Sequence, residues 1–408
     1  MDSTIRQLFV RHHARYTSSP CAADLAAFAR WLLDTGYDTD YAQRLVFRAK
    51  RCLEEAHVPS GQTWTATELA LAFRRRRQRL LYRHAQHAFR SFLESAGRLA
   101  TVETTGPYAA VIAAYERHLE GLRGLAPDTI KRHRWQVGAF LERALRDGEG
   151  IGALDPQRIE QYIQDRSRTV ARRSLLQTVD TLRAFLRFCF GHQLIGKPLY
   201  EIDRPVCFRD ELPPRALPLP LIRRLLHSID RHDRTGWRDF MILHLMAHYG
   251  LRPGETTKLK LESFNWKDRT MMVEQTKTRS WLILPLSDQT LGLLRRYLES
   301  GRRKQPTGPL FQTACAPIRP MTKYGVSQVF RLRARKSGLP IMHATAYSLR
   351  HSFAMRLFAR GVGIKTIGDL MGHGSIVSTA VYLRLQTDVL REVALPVPSG
   401  HGLKGGVA

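Results

Sequence analysis

In the last third of this 408-residue chain, several polar side chains fall where a fold exposes functional groups, at turns and helix starts. Arg252 follows the apolar run "TGWRDFMILHLMAHYG", in the break before the next helical stretch. Lys277 sits at the tip of a predicted hairpin. Arg350 opens a helix, with Tyr347 shortly before it and His351 directly after. His373 lies in the "GHG" break between two helices, and Tyr382 falls in a short helix with Ile376 and Thr379 on roughly the same side. Each has an ordinary explanation alone. An arginine at a helix start is usually solvated or salt-bridged, here to Glu255; a hairpin lysine is usually just exposed; a tyrosine in an apolar helix is usually core. Together they form a set that could bind a phosphate, move a proton and attack a backbone.

The elements that must place this set are mainly helical. From about 221 to 396 an apolar helix stops at Gly250, and "RPGETTKLKLES" restarts with Pro253 in a first-turn position. Three strand-like runs, "SFNW", "RTMMVEQ" and "SWLILPL", separated by turn-like "KD" and "TKTR", predict an antiparallel meander. Helical runs follow: "DQTLGLLRRYLES", "KYGVSQVFRLRARKSG", "LRHSFAMRLFARG", "IKTIGDLMG" and "STAVYLRL". Upstream, "DRPVCFRDELPPRALPLP" is proline-rich and reads as a linker over 203–220. Residues 105–202 predict four helices. One of them, "APDTIKRHRWQVGAFLERALRDG", carries proline and aspartate in its first turn. Residues 1–104 form a helical extension in which "TATELALAFRRRRQRLLYRHAQHAFRSFLESAG" reads as one long helix ending at Gly97. Its arginine run, Arg74 to Arg79, reads equally as phosphate-contacting or as a solvated face. The tail 397–408 has little that could pack. The fold class is mainly α and multidomain: helical N-terminal domains, then a mixed α/β domain with a small antiparallel sheet.

Charge says what such a chain meets. Lys and Arg total 64 against 36 Asp and Glu, a formal net charge of +28. An excess of this size points to a polyanion, with nucleic acid ahead of an anionic membrane. The five cysteines, Cys21, Cys52, Cys189, Cys207 and Cys315, are scattered without a C-x-x-C pair, which argues against a zinc site or a disulfide framework. The N-terminal stretch "MDSTIRQLFVRHHARY" lacks the apolar core of a signal peptide, and no apolar run approaches the ~20 residues of a membrane span. A cytoplasmic protein is expected.

"YGLRPGE", "TKTRSWLILPL", "LRHSFAMRL", "LMGHGS" and "STAVYLRL" resemble, in order and spacing, the tyrosine recombinase (phage integrase) family. The resemblance covers the third domain well and residues 107–202 more loosely, where the family has a core-binding domain. The extension 1–104 is not matched to the family by these motifs. The resemblance implies a catalytic set of Arg252, Lys277, Arg350, His373 and Tyr382, with Tyr347 at a position the family usually fills with histidine. It implies a mobile-element enzyme that cuts double-stranded DNA at specific sites through a 3′-phosphotyrosine link and a free 5′ hydroxyl. It also implies a homotetramer on DNA, sister recombinases as partners in some elements, and neither metal nor nucleotide cofactor. No P-loop, H-E-x-x-H or carboxylate cluster for magnesium argues otherwise.

The chemistry of the side chains suits that assignment. Attack on a phosphodiester builds negative charge on its nonbridging oxygens, which Arg252 and Arg350 could clamp with paired donors and His373 could supplement. Tyr382 would lose its proton and attack; Lys277, on its hairpin, would protonate the leaving oxygen. Glu255 would orient Arg252 or His373. His351, common after the motif arginine in this family, would support packing. Tyr347 could donate to a phosphate oxygen, but a phenol is a poor base near neutrality. His343 belongs to the approach loop. Beyond Tyr382, the apolar Leu383, Leu390, Val393 and Leu395 suggest a segment that packs on a neighbouring protomer, or else back on its own domain. The competing readings are a type IB topoisomerase, which shares the residue set, and a catalytically weakened accessory DNA-binding relative, which the tyrosine at 347 would suit.

Overall fold

The computed structural model describes residues 3–10, 12–57, 60–74, 80–100, 107–206, 216–275, 280–302, 308–372 and 379. Lys277, His373, Tyr382, Cys207, linker residues 207–215, the arginines from Arg75 to Arg79 and the segment beyond Tyr382 all lie outside them. Seventeen α-helices and one three-stranded sheet make up the described residues, the mainly helical architecture with a small sheet that the sequence predicts. None of these helices is long and apolar enough to cross a membrane.

The chain divides into two compact units. One comprises residues 15–25 and 47–209, the other 1–14, 26–46 and 210–408. Helices α1 (Ser3–Leu8), α2 (Ala14–Thr17), α3 (Ala22–Asp34) and α4 (Thr39–Glu55) open the chain, followed by α5 (Ala66–Ala72) and α6 (Leu80–Ser95). The single long helix expected across α5 and α6 is not formed. Thr65 starts α5 with a reciprocal cap to Glu68, and the helix already closes at Phe73.

Within the first unit, α7 (Ala109–Gly121), α8 (Pro127–Ala144), α9 (Pro156–Ser167) and α10 (Arg172–Gly191) are the four helices expected. Pro127 opens α8 with Asp128 in its first turn, and Asp155 caps α9 by accepting from the Arg158 amide at 2.8 Å. Their apolar faces meet in one core that holds Tyr115, Phe140, Leu182 and Phe185. Gln136 is buried between α8 and α10, donating to Thr178 Oγ1 at 3.3 Å and accepting from Thr181 Oγ1 at 2.6 Å, so its amide is satisfied.

In the second unit, α11 (Leu219–His227) leads to α12 (Gly236–Tyr249), which is apolar on nearly every side and therefore central. Around it pack α11, α14 (Asp288–Ser300), α15 (Lys323–Lys336) and α16 (Ala346–Phe358). Helix α13 (Pro253–Lys258) follows α12 directly, and α17 (Ile364–Leu370) follows α16. Strands β1 (Phe264–Asn265), β2 (Thr270–Gln275) and β3 (Ser280–Pro285) form the expected antiparallel meander in the order β1-β2-β3. In β2, Met271, Val273 and Gln275 alternate inward. The four described cysteines, Cys21, Cys52, Cys189 and Cys315, are all free thiols.

Candidate active site

Two arginines far apart in sequence converge on one carboxylate. The chain leaves α12 through Gly250, whose φ of 67° is the left-handed region that favours glycine; a Cβ there would also collide with the Phe353 ring. That tight exit puts Arg252 at the N-cap of α13, with Pro253 at the first helical position. Glu255, one turn in, reaches back to accept from the Arg252 amide at 2.8 Å through Oε2, and its Oε1 pairs with Arg252 Nη1. Glu255 is 3% exposed. A surface salt bridge, the bland expectation for it, is therefore ruled out.

The second arginine comes from α16. Arg350 is 5% exposed and stands in the second turn of that helix, not at its opening as the sequence suggests. Its Nη1 donates to the Gly250 carbonyl at 2.6 Å and lies 3.6 Å from Glu255 Oε2. The carbonyl end of α12 is the negative end of its dipole, a favourable place for a guanidinium. Arg350 Nη2 donates to the Met371 carbonyl, and Arg252 Nη2 donates to the Gly372 carbonyl at 3.0 Å. Both guanidiniums are thus aimed by the turn that leads straight into residue 373.

These three side chains carry one net positive charge in a largely desolvated place. Paired guanidinium donors match the oxygens of a phosphate.

The flanking residues divide in two. Tyr347 is 49% exposed in the first turn of α16, and its i, i+3 relation to Arg350 puts both on one side of the helix. His351 is half-buried, and burial, followed by the charge of Arg350, pushes its imidazole below its ordinary pKa, so it is neutral near pH 7.

Three sequence-predicted residues lie outside the described set, yet their neighbours bracket them. β2 and β3 pair up to Gln275 and Ser280, so Lys277 belongs to the connection between those ends. Gly372 adjoins His373. Thr379, shortly before Tyr382, is fully buried, and a Cβ on Gly368 of α17 would lie 3.0 Å from its Oγ1. The sequence reading missed the carbonyls of Gly250, Met371 and Gly372 as the partners that aim the arginines; main-chain acceptors carry no signature in residue type. It also passed over Gln275, although a polar residue at an inward position of β2 is a readable signal.

Residues 219–388 match the phage integrase family, and residues 112–191 match the phage integrase N-terminal SAM-like domain. A putative integrase/recombinase of Sinorhizobium fredii is 28% identical over 404 residues, covering 94% of this chain and 96% of the relative. A second one from the same organism is 30% identical over 306 residues, covering 73% of this chain and 72% of the relative. Among solved structures, the Tn1549 transposon integrase in complex with circular intermediate DNA aligns with a TM-score of 0.51 at 18% identity, covering 67% of this chain and 94% of that one.

Proposed function

Because the chain belongs to the tyrosine recombinase (phage integrase) family and is a site-specific DNA recombinase, we propose that it breaks and rejoins DNA through a 3′-phosphotyrosine intermediate on Tyr382. The observation that carries this reading is the convergence of Arg252 and Arg350 on the buried Glu255, beside the turn that enters His373.

The steps follow from that pocket. The scissile phosphate completes the charge of the arginine pair, one nonbridging oxygen to each guanidinium, and His373 adds a donor. The Tyr382 oxygen gives its proton to solvent water and attacks phosphorus. The bond to the 5′ oxygen breaks, and Lys277 protonates that oxygen as it leaves. Donors already in place to meet the developing charge contribute most to the acceleration. The new ester keeps the bond energy, so a 5′ hydroxyl from a second duplex can reverse the step. Tyr347, exposed beside Arg350, contributes a hydrogen bond to the phosphate and no base.

We assign 221–396 to catalysis and 105–202 to clasping the duplex through basic helix faces, with phosphate contacts that position without reading sequence. Residues 1–104 supply further contacts to DNA or to sister recombinases, and four protomers assemble on two duplexes. The likeness to integrase/recombinase relatives and to the fold of a transposon integrase supports a role in moving a mobile element. The test is a nicked suicide substrate bearing the recognition site, incubated with the full chain. A denaturation-resistant protein–DNA adduct with the wild type, lost in Tyr382→Phe, is expected. Adduct formation by Tyr382→Phe would overturn the assignment of the nucleophile.

A further inference from the structure

The end of β2 touches the turn that aims both arginines, and Gln275 makes the contact. Gln275 takes the inward position after Met271 and Val273 and is 5% exposed. Its Oε1 accepts from Ser280 Oγ at 3.1 Å, across the last residue pair of the hairpin. The amide also occupies the space beside Gly372. Gly372 has a φ of +55°, and a Cβ built there would collide with the Oε1, Cδ and Nε2 atoms of Gln275. Position 372 is therefore restricted to glycine twice over, by its backbone conformation and by the glutamine lying against it. The same turn gives its two carbonyls to the guanidiniums of Arg252 and Arg350.

We propose that Gln275 is a positioning residue for strand cleavage: its amide, braced by Ser280, holds the 371–372 turn so that the Met371 and Gly372 carbonyls keep Arg350 and Arg252 aimed at the phosphate. The inference rests on the recombinase reading above. Gln275 touches no reacting atom and acts through the two arginines. A glycine turn has little stiffness of its own, so the rigid edge of the sheet supplies it. Displacing catalytic donors by about an ångström costs on the order of 100-fold in rate.

The test compares single-turnover cleavage of two suicide substrates by the full chain. One has an ordinary scissile phosphate. The other has a methylphosphonate there, in which a neutral methyl group replaces one charged oxygen and less charge calls for the guanidiniums. Gln275→Ala is expected to slow cleavage of the ordinary substrate by about 10- to 100-fold, with DNA affinity within about twofold of wild type. On the methylphosphonate the deficit should shrink to about threefold or less. Ser280→Ala, at an exposed position that tolerates change, should give the same pattern at smaller size, and carries the test should Gln275→Ala misfold. A deficit equal on both substrates, or none on either, overturns the proposal while leaving the recombinase reading intact. A wild-type chain that captures no DNA removes both.

Discussion

Two clusters of arginine and carboxylate stand at opposite ends of α12, and they differ in which groups hold the guanidiniums. At the N-terminal end, Asp239 sits in the first turn and pairs with Arg333 Nη2 at 2.7 Å and with Arg238 Nη2 at 2.8 Å. Arg333 also reaches Asp233 at 3.2 Å and donates to Thr235 Oγ1 at 2.8 Å. Arg238 and Arg333 meet Asp239 and the exposed Asp233 there, with Lys336 Nζ 3.8 Å from Asp233, and every nitrogen of Arg333 has a side-chain acceptor. At the C-terminal end, Arg252 and Arg350 both reach Glu255, and main-chain carbonyls of Gly250, Met371 and Gly372 accept from them as well. Carbonyls orient a guanidinium without cancelling its charge. The first cluster ties α12 to α15 through side chains; in the second the main chain aims both guanidiniums at one place. Buried arginine by itself therefore says little about function, and the groups that orient it say more.

The sharpest way to break this comparison is to damage each cluster and ask what fails. Arg333→Met leaves the buried Asp239 short of a partner and should cost about 3–5 kcal/mol of stability, read by urea denaturation. Cleavage per folded molecule should stay within about twofold of wild type. Arg350→Lys keeps the charge but loses the planar fork, and should lower cleavage by about 100-fold, equivalent to about 2.7 kcal/mol, with a smaller loss of stability. Should Arg333→Met abolish cleavage while remaining folded, or Arg350→Lys cleave normally, the division between the clusters fails.

Midway along α12 a third polar group is buried by staying neutral. His244 hydrogen-bonds Thr290 Oγ1 at 3.0 Å and stacks on His248 at 4.3 Å between ring centroids. Burial, followed by the charge of His248, pushes its pKa from the ordinary 6.5 down to about 3. The folded pKa lies below the unfolded one, so the unfolded chain takes the proton first. Stability is unaffected above pH 6.5 and falls as pH drops towards 3, by about 1.4 kcal/mol per unit. By pH 5 the wild type should lose about 2 kcal/mol that His244→Gln retains, measured by denaturation at both pH values. Equal acid sensitivity in the two proteins would contradict a buried neutral imidazole.

The smallest effect concerns Tyr347. As a single hydrogen-bond donor to the phosphate, its loss in Tyr347→Phe should slow cleavage by about tenfold or less. A loss as complete as that of Tyr382→Phe would give Tyr347 a greater part than a donor.

What the sequence disclosed follows the physics of each feature. The β meander was readable because its alternation and turn residues are local. Gly250 and Pro253 were readable because left-handed turns and helix first turns select those residues. Arg252 and Arg350 were readable only through ordered motifs, since nothing local marks two residues so far apart as neighbours. The Arg333–Asp239 cluster was not readable: Arg333 looks like any exposed arginine in "RLRARK", and its partner lies in a distant helix. The early end of α5 was missed because no glycine or proline marks a stop at Phe73 and helix-favouring residues run on past it.

The most direct measurement is to map the covalent link itself. The adduct formed on a suicide substrate is digested with trypsin, and the DNA-bearing peptide is sequenced by mass spectrometry. The two candidate tyrosines fall on different peptides, Ser337–Arg350 for Tyr347 and Thr366–Arg384 for Tyr382. The expected result is a nucleotide remnant on Tyr382 within the second peptide. A remnant on Tyr347 would contradict both the nucleophile and the role given to the residue beside Arg350.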